Sequence, residues 1–196
     1  MNNQLARNYE PVENSTTAIP GHIFPSIKLK NAKGNTIDLA DRNGDRWKLI
    51  VVYRGIHCPL CSKYLKTLES LYTEFTKKGI DIMAISADTI EKLSVQIKTD
   101  NLNFPMACEL SADQMRTLGL FISEPLSSED NNNLFSEPGL FIINSNGYLH
   151  ITERSNAPYL RPDLTTLPST LSYIKQSGDK RHDSLGGDYY PIRGTI

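Results

Sequence analysis

The sequence predicts an α/β fold built on a central mixed β-sheet, and three observations carry this prediction. Two continuous apolar runs of strand length, residues 47–53 and 80–86, are each followed by a helical pattern. Alternating strands and helices are typical of parallel strands buried under helices. A turn-containing strand pair near each end of the domain adds antiparallel strands. We therefore expect helices on both faces of the sheet and an N-terminal β-hairpin.

Length and composition fit one domain with a polar extension at each end. The chain has 196 residues, of which 39% are hydrophobic and 22% are charged, as in an ordinary globular protein. We expect a polar N-terminal arm at residues 1–18, the folded domain at residues 19–176, and a tail at residues 177–196.

The charge balance and the hydropathy pattern exclude several classes of function. Lys plus Arg total 21 and Asp plus Glu total 22, for a net charge of −1, whereas nucleic-acid binders usually carry an excess of basic residues. The sequence contains no apolar run of about 18 residues, the length expected of a membrane-spanning helix, and its first 14 residues show no signal-peptide pattern. We expect a cytoplasmic protein with neither a nucleic-acid nor a membrane partner.

The N-terminal part of the domain predicts a hairpin followed by a central strand. Apolar residues alternate at 27–29 and 37–39 around a turn that contains Gly34. After a second turn at 43–44, the run at 47–53 is continuous and rich in β-branched residues. It is typical of a strand that is covered on both faces.

The clearest helix is predicted at residues 58–78. Its apolar side chains recur at spacings of three and four and so form one face. They are Cys61, Tyr64, Leu65, Leu68, Leu71, Tyr72 and Phe75. Gly79 follows a basic last turn and is a suitable end for the helix.

The remaining elements continue the alternation of strands and helices. In order, we expect a strand at 80–86, a helix at 88–100, an extended piece at 104–107, a short helix at 112–120, a polar loop at 123–136, a hairpin at 140–152, and a last helix marked by Leu164, Leu167, Leu171 and Ile174.

Two cysteines at a strand–helix junction form the strongest candidate site. Cys58 lies at the expected N-cap, Pro59 at the first helical position, where its missing N–H costs nothing, and Cys61 one turn later. The free N–H groups and the positive end of the helix dipole stabilise a thiolate here. The spacing also allows a small disulfide ring between the two cysteines.

Two other interpretations of the Cys-x-x-Cys pair remain. It could be half of a zinc site, but zinc needs a second pair of ligands, and neither Cys108 nor the four scattered histidines supply one. The two cysteines could also be inert core residues, above all Cys61 on the apolar helix face. We expect a redox pair, with no metal and no other cofactor.

Several segments together resemble the peroxiredoxin-like branch of the thioredoxin superfamily, related to alkyl hydroperoxide reductase and thiol-specific antioxidant proteins. They are the hairpin, the strand leading to Cys58 and Cys61, the strand at 80–86, the segments at 138–147 and 156–162, and the closing residues 190–194. The resemblance covers residues 19–194. It implies a thioredoxin-like fold, a peroxide or disulfide substrate, and a reductant of the thioredoxin or glutathione type.

The chain departs from the peroxiredoxin signature Pro-x-x-x-Thr-x-x-Cys at three positions. With the peroxidatic cysteine laid on Cys61, the threonine falls on Cys58 and the proline on Arg54, and the active-site arginine of the family falls on Pro138. Thioredoxins have a cis-proline there, facing their cysteines. We therefore expect a cis Glu137–Pro138 bond beside the cysteines, and dithiol–disulfide exchange is favoured.

The resemblance implies roles for the two cysteines. In the favoured assignment Cys58 is exposed and attacks a disulfide or a peroxide, Cys61 resolves the intermediate, and Cys108 stays free. Alternatively, the protein is a peroxiredoxin proper, in which Cys61 attacks the peroxide and Cys58 resolves. A third alternative is a non-catalytic redox sensor or interaction module.

Four further side chains are candidates near the pair or at a distance from it. Arg54 could stabilise a thiolate or activate a peroxide oxygen, and it is assigned with Pro138 to substrate positioning. His57 could transfer a proton or simply pack. Arg161 could approach from the far side, and Cys108 is expected in the core.

Overall fold

The computed structural model describes residues 18–125 and 134–177. The arm expected at the N-terminus lies outside the described residues except for Ala18, and nearly all of the expected tail lies outside them as well. The family-like segment at 190–194 also falls outside this part of the chain.

A seven-stranded mixed sheet forms the centre of the domain, as predicted. With strands numbered along the chain, the spatial order is β2 (Thr36–Asp38), β1 (Lys28–Asn31), β5 (Met106–Cys108), β4 (Ile80–Ile85), β3 (Trp47–Val52), β8 (Gly139–Ile143) and β9 (Leu149–Arg154). Strands β3, β4 and β5 are parallel, and the other pairs are antiparallel. The N-terminal hairpin forms one end of this sheet.

The pairing on either side of β3 decides where the site can form. Val52 at the end of β3 lies opposite Ile85 at the end of β4, because these strands are parallel. It also lies opposite Gly139 at the start of β8, because that pair is antiparallel. The segments after β3, after β4 and before β8 therefore meet at one edge of the sheet.

Helices cover both faces, but unequally. Helices α1 (Pro59–Lys77), α2 (Ile90–Asp100) and α4 (Leu167–Ser177) contribute to one hydrophobic core, and the short α3 (Ala112–Thr117) contributes to the other. Helix α1 ends where predicted, with Gly79 at φ +72°, a conformation that favours glycine. Its buried positions are Cys61, Leu65, Leu68 and Phe75.

The prediction of a polar loop at 123–136 is wrong at both ends of that range, where short strands form. Strand β6 (Ile122–Ser123) pairs antiparallel with β7 (Phe135–Ser136), while residues 126–133 lie outside the described part. Two-residue strands carry no periodicity that a sequence pattern could reveal. This ribbon matters because it brings Phe135 and Glu137 to the site.

None of the helices in the described ranges is long and apolar enough to cross a lipid bilayer.

Candidate active site

The turn between β3 and α1 is held by a buried carboxylate. Gly55 has φ +134°, and a Cβ atom there would lie 2.8 Å from Asp88 Oδ1. The N–H of Ile56 donates to Asp88 Oδ2 at 2.9 Å, and the N–H of Cys58 donates to the Gly55 carbonyl at 3.1 Å. Asp88, in the segment between β4 and α2, thus fixes the backbone that enters the cysteine pair.

The Cys-x-x-Cys motif begins α1 with the predicted geometry. Cys58 is the N-cap, Pro59 is the first helical residue, and Cys58 Sγ accepts the N–H of Cys61 at 3.2 Å. A disulfide joins Cys58 to Cys61, whose Cα atoms are 5.2 Å apart. Cys108 is a free, buried cysteine on β5. The pairing agrees with the one expected from the sequence.

Both cysteines are buried, which corrects the expectation that Cys58 faces solvent. Cys58 is 3% exposed and Cys61 is 0% exposed. The Asp88-bound turn at Gly55 folds the chain so that Cys58 joins the same core as Leu65. The N-cap position of a helix faces solvent only when the preceding chain leads away from the core.

Arg161 contacts the disulfide from the segment that follows β9. Its Nη2 donates to Cys61 Sγ at 2.9 Å, and its Nε donates to the Pro158 carbonyl at 2.8 Å. The guanidinium lies over the ring of Tyr64, 4.9 Å from the centroid, and the Tyr64 hydroxyl donates to the Pro162 carbonyl at 2.8 Å. These contacts direct a fixed positive charge at the Cys61 sulfur.

Arg54 contacts other groups than those expected. Its guanidinium lies over the Phe135 ring, 4.6 Å from the centroid, and its Nε lies 3.3 Å from Glu137 Oε1. Glu137 Oε1 also accepts the Ser123 hydroxyl at 2.7 Å. The assignment of Arg54 to substrate positioning therefore stays a prediction, with Glu137 as its partner in the structure.

His57 packs against the same aromatic side chain as Arg54. Its ring lies 4.8 Å from that of Phe135, in an edge-on arrangement. The packing role that the sequence left open for His57 is present, and the charge of Asp88 lies close enough to interact with it.

The Glu137–Pro138 bond is trans, and the expected cis-proline is wrong. No peptide bond among the described residues is cis. The Glu137 N–H donates to the Phe121 carbonyl at 2.8 Å, and the Pro138 carbonyl accepts the Ser155 N–H at 3.0 Å. An extended trans chain leading into β8 satisfies both bonds. Pro138 lines a small cavity of about 10 Å³ together with Arg161.

Burial sets the protonation of the groups around the site. Burial lowers the pKa of Arg161. The negative charge of Glu137 opposes this lowering, and the positive charge of Arg54 adds to it. The Arg161 guanidinium nonetheless stays charged at neutral pH. Burial raises the pKa of the Asp88 carboxyl, and it raises the pKa of Cys108 to about 12. Cys108 is therefore an uncharged core thiol.

Sequence reasoning missed two residues of this site and ranked a third as a minor candidate. Asp88 could have been found, because it follows the strand beside β3 at the sheet edge where α/β sites form. Glu137 carries no such signal, since its position depends on the antiparallel pairing of β3 and β8. Arg161 is separated from Cys61 by 100 positions.

Across residues 18–125 and 134–177, no group of three or more His, Cys, Asp or Glu side chains is arranged to hold a metal ion.

Comparison with protein families gives one match over most of the domain. The model of the AhpC/TSA family matches residues 20–151. This range contains the sheet strands up to the middle of β9 and the turn that carries both cysteines.

Individual proteins similar to this chain are of two kinds. A Mycobacterium tuberculosis protein whose name calls it a peroxiredoxin is 28% identical over 107 residues, which are 55% of this chain and 68% of that protein. The thiol-disulfide oxidoreductase ResA of Bacillus cereus is 26% identical over 102 residues, which are 51% of this chain and 57% of ResA.

Solved structures share the fold at low sequence identity. A crystal structure of a mutant of the peroxiredoxin 6 of Arenicola marina superposes with a TM-score of 0.68 at 14% identity, covering 83% of this chain and 76% of that one. The thioredoxin-like fold expected from the sequence is thereby confirmed.

Proposed function

Because the chain belongs to the AhpC/TSA family, we propose that Cys58 and Cys61 are its redox centre and pass between a dithiol and a disulfide. The chain is a thiol-dependent redox enzyme of the peroxiredoxin-like kind. Its substrates in this proposal are peroxides or disulfides, and its reductant is a thiol of the thioredoxin or glutathione type. Cytoplasmic location and the absence of nucleic-acid and membrane partners stay predictions.

The observation that carries the proposal is the contact between Arg161 and the disulfide. A guanidinium 2.9 Å from Cys61 Sγ favours the thiolate over the thiol once the bond is reduced. The N-terminus of α1 adds its free N–H groups and dipole. A cysteine that is a thiolate at neutral pH is the nucleophile that both peroxide and disulfide reduction require.

For a peroxide, this geometry favours attack by Cys61. The thiolate attacks one peroxide oxygen, so that an S–O bond forms, the O–O bond breaks, and the leaving alkoxide or hydroxide takes a proton from water. The Cys58 thiol then attacks the sulfenic sulfur, the S–S bond forms and water leaves. Two electrons from an external dithiol, or from two thiols, restore the reduced pair.

A second assignment, in which Cys58 attacks first, is the one favoured by the sequence. Cys58 Sγ accepts the N–H of Cys61 at 3.2 Å, and Cys58 is the less buried of the two cysteines. In this version Cys58 attacks a substrate disulfide to form a mixed disulfide, and Cys61 displaces the substrate thiol. Both versions end in the Cys58–Cys61 disulfide.

Single cysteine variants separate the two assignments. We treat reduced Cys58→Ser and Cys61→Ser with hydrogen peroxide and with a model disulfide, and measure intact mass over time. We expect Cys58→Ser to gain one oxygen at Cys61 faster than Cys61→Ser reacts with peroxide. The opposite order would assign the attack to Cys58.

The unmodified protein tests the proposal as a whole. With a thiol-reducing system in excess, we expect many peroxide or disulfide molecules to be consumed per protein chain. A single oxidation without turnover would instead support the non-catalytic redox sensor. Turnover that survives in both cysteine variants would overturn the assignment of the redox centre.

A further inference from the structure

An open groove runs along the side of helix α1, and it begins at the cysteine pair. Its lining starts with Ile56 and Pro59, which stand on either side of Cys58 in the sequence, and continues along the helix to Ser70. Its volume is about 730 Å³, within the range of sites that bind small organic molecules. We call this surface the α1 groove.

The α1 groove carries positive charge. Its charged lining residues are Lys63 and Lys66, and no acidic side chain is among the described residues that line it. Lys66 is already paired, since its Nζ lies 3.0 Å from Asp100 Oδ1. Lys63 is exposed and forms no ion pair with any residue of 18–125 or 134–177. One positive charge in the groove is therefore available to an anionic ligand.

The far end of the α1 groove offers hydrogen-bond acceptors. The Thr67 hydroxyl donates to the Lys63 carbonyl at 3.2 Å, and the Ser70 hydroxyl donates to the Thr67 carbonyl at 2.7 Å. A hydroxyl has one hydrogen and two lone pairs. Because both hydrogens are engaged within the helix, both oxygens are left to accept N–H groups such as those of amides.

A ligand in the α1 groove reaches Cys58 before Cys61. Cys58 is 3% exposed and Cys61 is 0% exposed, and the groove residue Pro59 directly follows Cys58. A sulfur this enclosed admits a thiol on an unbranched CH₂ group more easily than the broad surface of another protein. The groove therefore suits a small thiol that carries negative charge.

We propose that the α1 groove binds the reductant, that this reductant is a small anionic thiol of the glutathione type, and that Lys63 binds one of its carboxylates. Such a thiol carries both carboxylates and amide N–H groups, which match the lysine and the hydroxyl oxygens. This inference rests on the proposed function and chooses between its two types of reductant.

Two molecules of the thiol reduce the disulfide in two exchanges. The first loses its proton to water, and its thiolate attacks Cys58 Sγ. A mixed disulfide forms, the bond to Cys61 breaks, and Cys61 leaves as a thiolate beside Arg161, whose Nη2 lies 2.9 Å from that sulfur. A second thiolate then attacks the sulfur of the bound thiol, and Cys58 leaves as a thiolate. The cysteine pair gains two electrons, one from each thiol, and the disulfide of the reductant departs.

Reduction of the oxidised protein by thiols of different charge tests the groove. The probes are glutathione, neutral 2-mercaptoethanol and cationic cysteamine, and loss of the protein disulfide is followed by intact mass after alkylation. We expect Lys63→Gln to slow glutathione about threefold and Lys63→Glu about tenfold, as for removal and reversal of an exposed charge pair. Reduction by 2-mercaptoethanol should stay within about twofold, and reduction by cysteamine should not slow.

Lys77→Glu is the matched control. Lys77 is an exposed lysine of the same helix and does not line the groove, so the net charge changes equally. It lies 14 positions beyond Lys63, or about 21 Å along the helix axis, which is well over the screening length of about 8 Å at physiological salt. We expect its rates to equal those of the unmodified protein with every thiol. Lys63→Arg keeps the charge and should keep the rate with glutathione.

Three outcomes would overturn the inference. The first is a glutathione rate that Lys63→Glu leaves unchanged. The second is equal slowing of glutathione and 2-mercaptoethanol in that variant, since Lys63 would then act on the structure of the site and not on the charge of the ligand. The third is equal slowing of glutathione in Lys77→Glu, which would assign the effect to net charge.

Failure of this inference differs from failure of the proposed function. If thioredoxin with its reductase supports turnover and Lys63→Glu has no effect on reduction by glutathione, the redox centre stands and the role of the α1 groove is wrong. If glutathione reduces the disulfide with the expected dependence on Lys63 but no peroxide or disulfide is turned over, the groove assignment stands and the catalytic part of the proposed function fails.

Discussion

At the scale of single residues, two arginines near the cysteine pair differ in their partners. Arg161 reaches Cys61 Sγ, whereas Arg54 pairs with Glu137. Both arginines are near the site, and both lie against aromatic rings, but only one has a sulfur as its hydrogen-bond partner. The distinction rests on where each backbone segment runs, because the side chains are chemically identical.

Replacing Arg161 should weaken the nucleophile. In Cys58→Ser protein, the added change Arg161→Gln removes the positive charge beside Cys61 and raises the pKa of that thiol. We expect alkylation of Cys61 at pH 7 to slow at least about tenfold and its pH profile to move to higher pH. Arg116→Gln, an exposed change on α3, is the control. An unchanged profile in the Arg161 variant would contradict the role of Arg161.

At the scale of elements, the junction between β3 and α1 depends on one turn. Gly55 adopts φ +134°, and Asp88 occupies the space that a Cβ atom would need. Asp88 comes from the segment between β4 and α2, so the two parallel strands position the turn together. The N-terminus of α1, and with it the cysteine pair, is therefore tied to the neighbouring βα unit.

Gly55→Ala should destabilise the fold. The added methyl group meets Asp88 Oδ1 at 2.8 Å in a backbone conformation that favours glycine, and we expect a loss of about 2 kcal/mol or more in the free energy of unfolding. Gly44→Ala is the matched control, since Gly44 has φ +54° with open space around it. Its cost should be about 1 kcal/mol. Denaturant titration of the two variants checks the difference, and equal costs would refute the close-packing argument.

Across the whole molecule, the sheet order joins segments that are far apart in sequence. The turn at Gly55, the residue Asp88, the approach to β8 and the segment after β9 meet at one sheet edge.

On the same side of the sheet, α1 and α2 are connected by a buried polar cluster. Asp100 of α2 accepts from Ser62 and from Gln96, and pairs with Lys66 at 3.0 Å.

Acid should weaken this connection and with it the global stability. Burial would raise the pKa of Asp100, but hydrogen bonds from Ser62, Lys66 and Gln96 more than offset it and the pKa is lowered. The ionised Asp100 carboxylate therefore stabilises the folded protein at pH values above the pKa that Asp has in the unfolded chain. This stabilisation is lost as the pH falls through the lower pKa that Asp100 has in the folded protein.

Asp100→Asn should consequently cost about 1–3 kcal/mol of unfolding free energy at pH 7. The difference from the unmodified protein should shrink as the pH falls below about 4. Asp113→Asn, at an exposed ion pair on α3, should cost less than about 1 kcal/mol. Denaturant titrations at several pH values measure both, and a pH-independent Asp100 difference would contradict the linkage.

The sequence by itself determined the α/β class, the order of the elements apart from the short β6–β7 pair, the helix that begins at the cysteine pair, and the pairing of Cys58 with Cys61. These features depend on local periodicity, capping and a three-residue spacing, which are visible along the chain. Only the tertiary structure decided that Cys58 is buried, that the Glu137–Pro138 bond is trans, and that Arg161 rather than Arg54 reaches a sulfur. Such properties depend on which distant segments pack together. Arg54 follows β3 and Arg161 follows β9, and only the packing of these two segments decides which guanidinium reaches a sulfur.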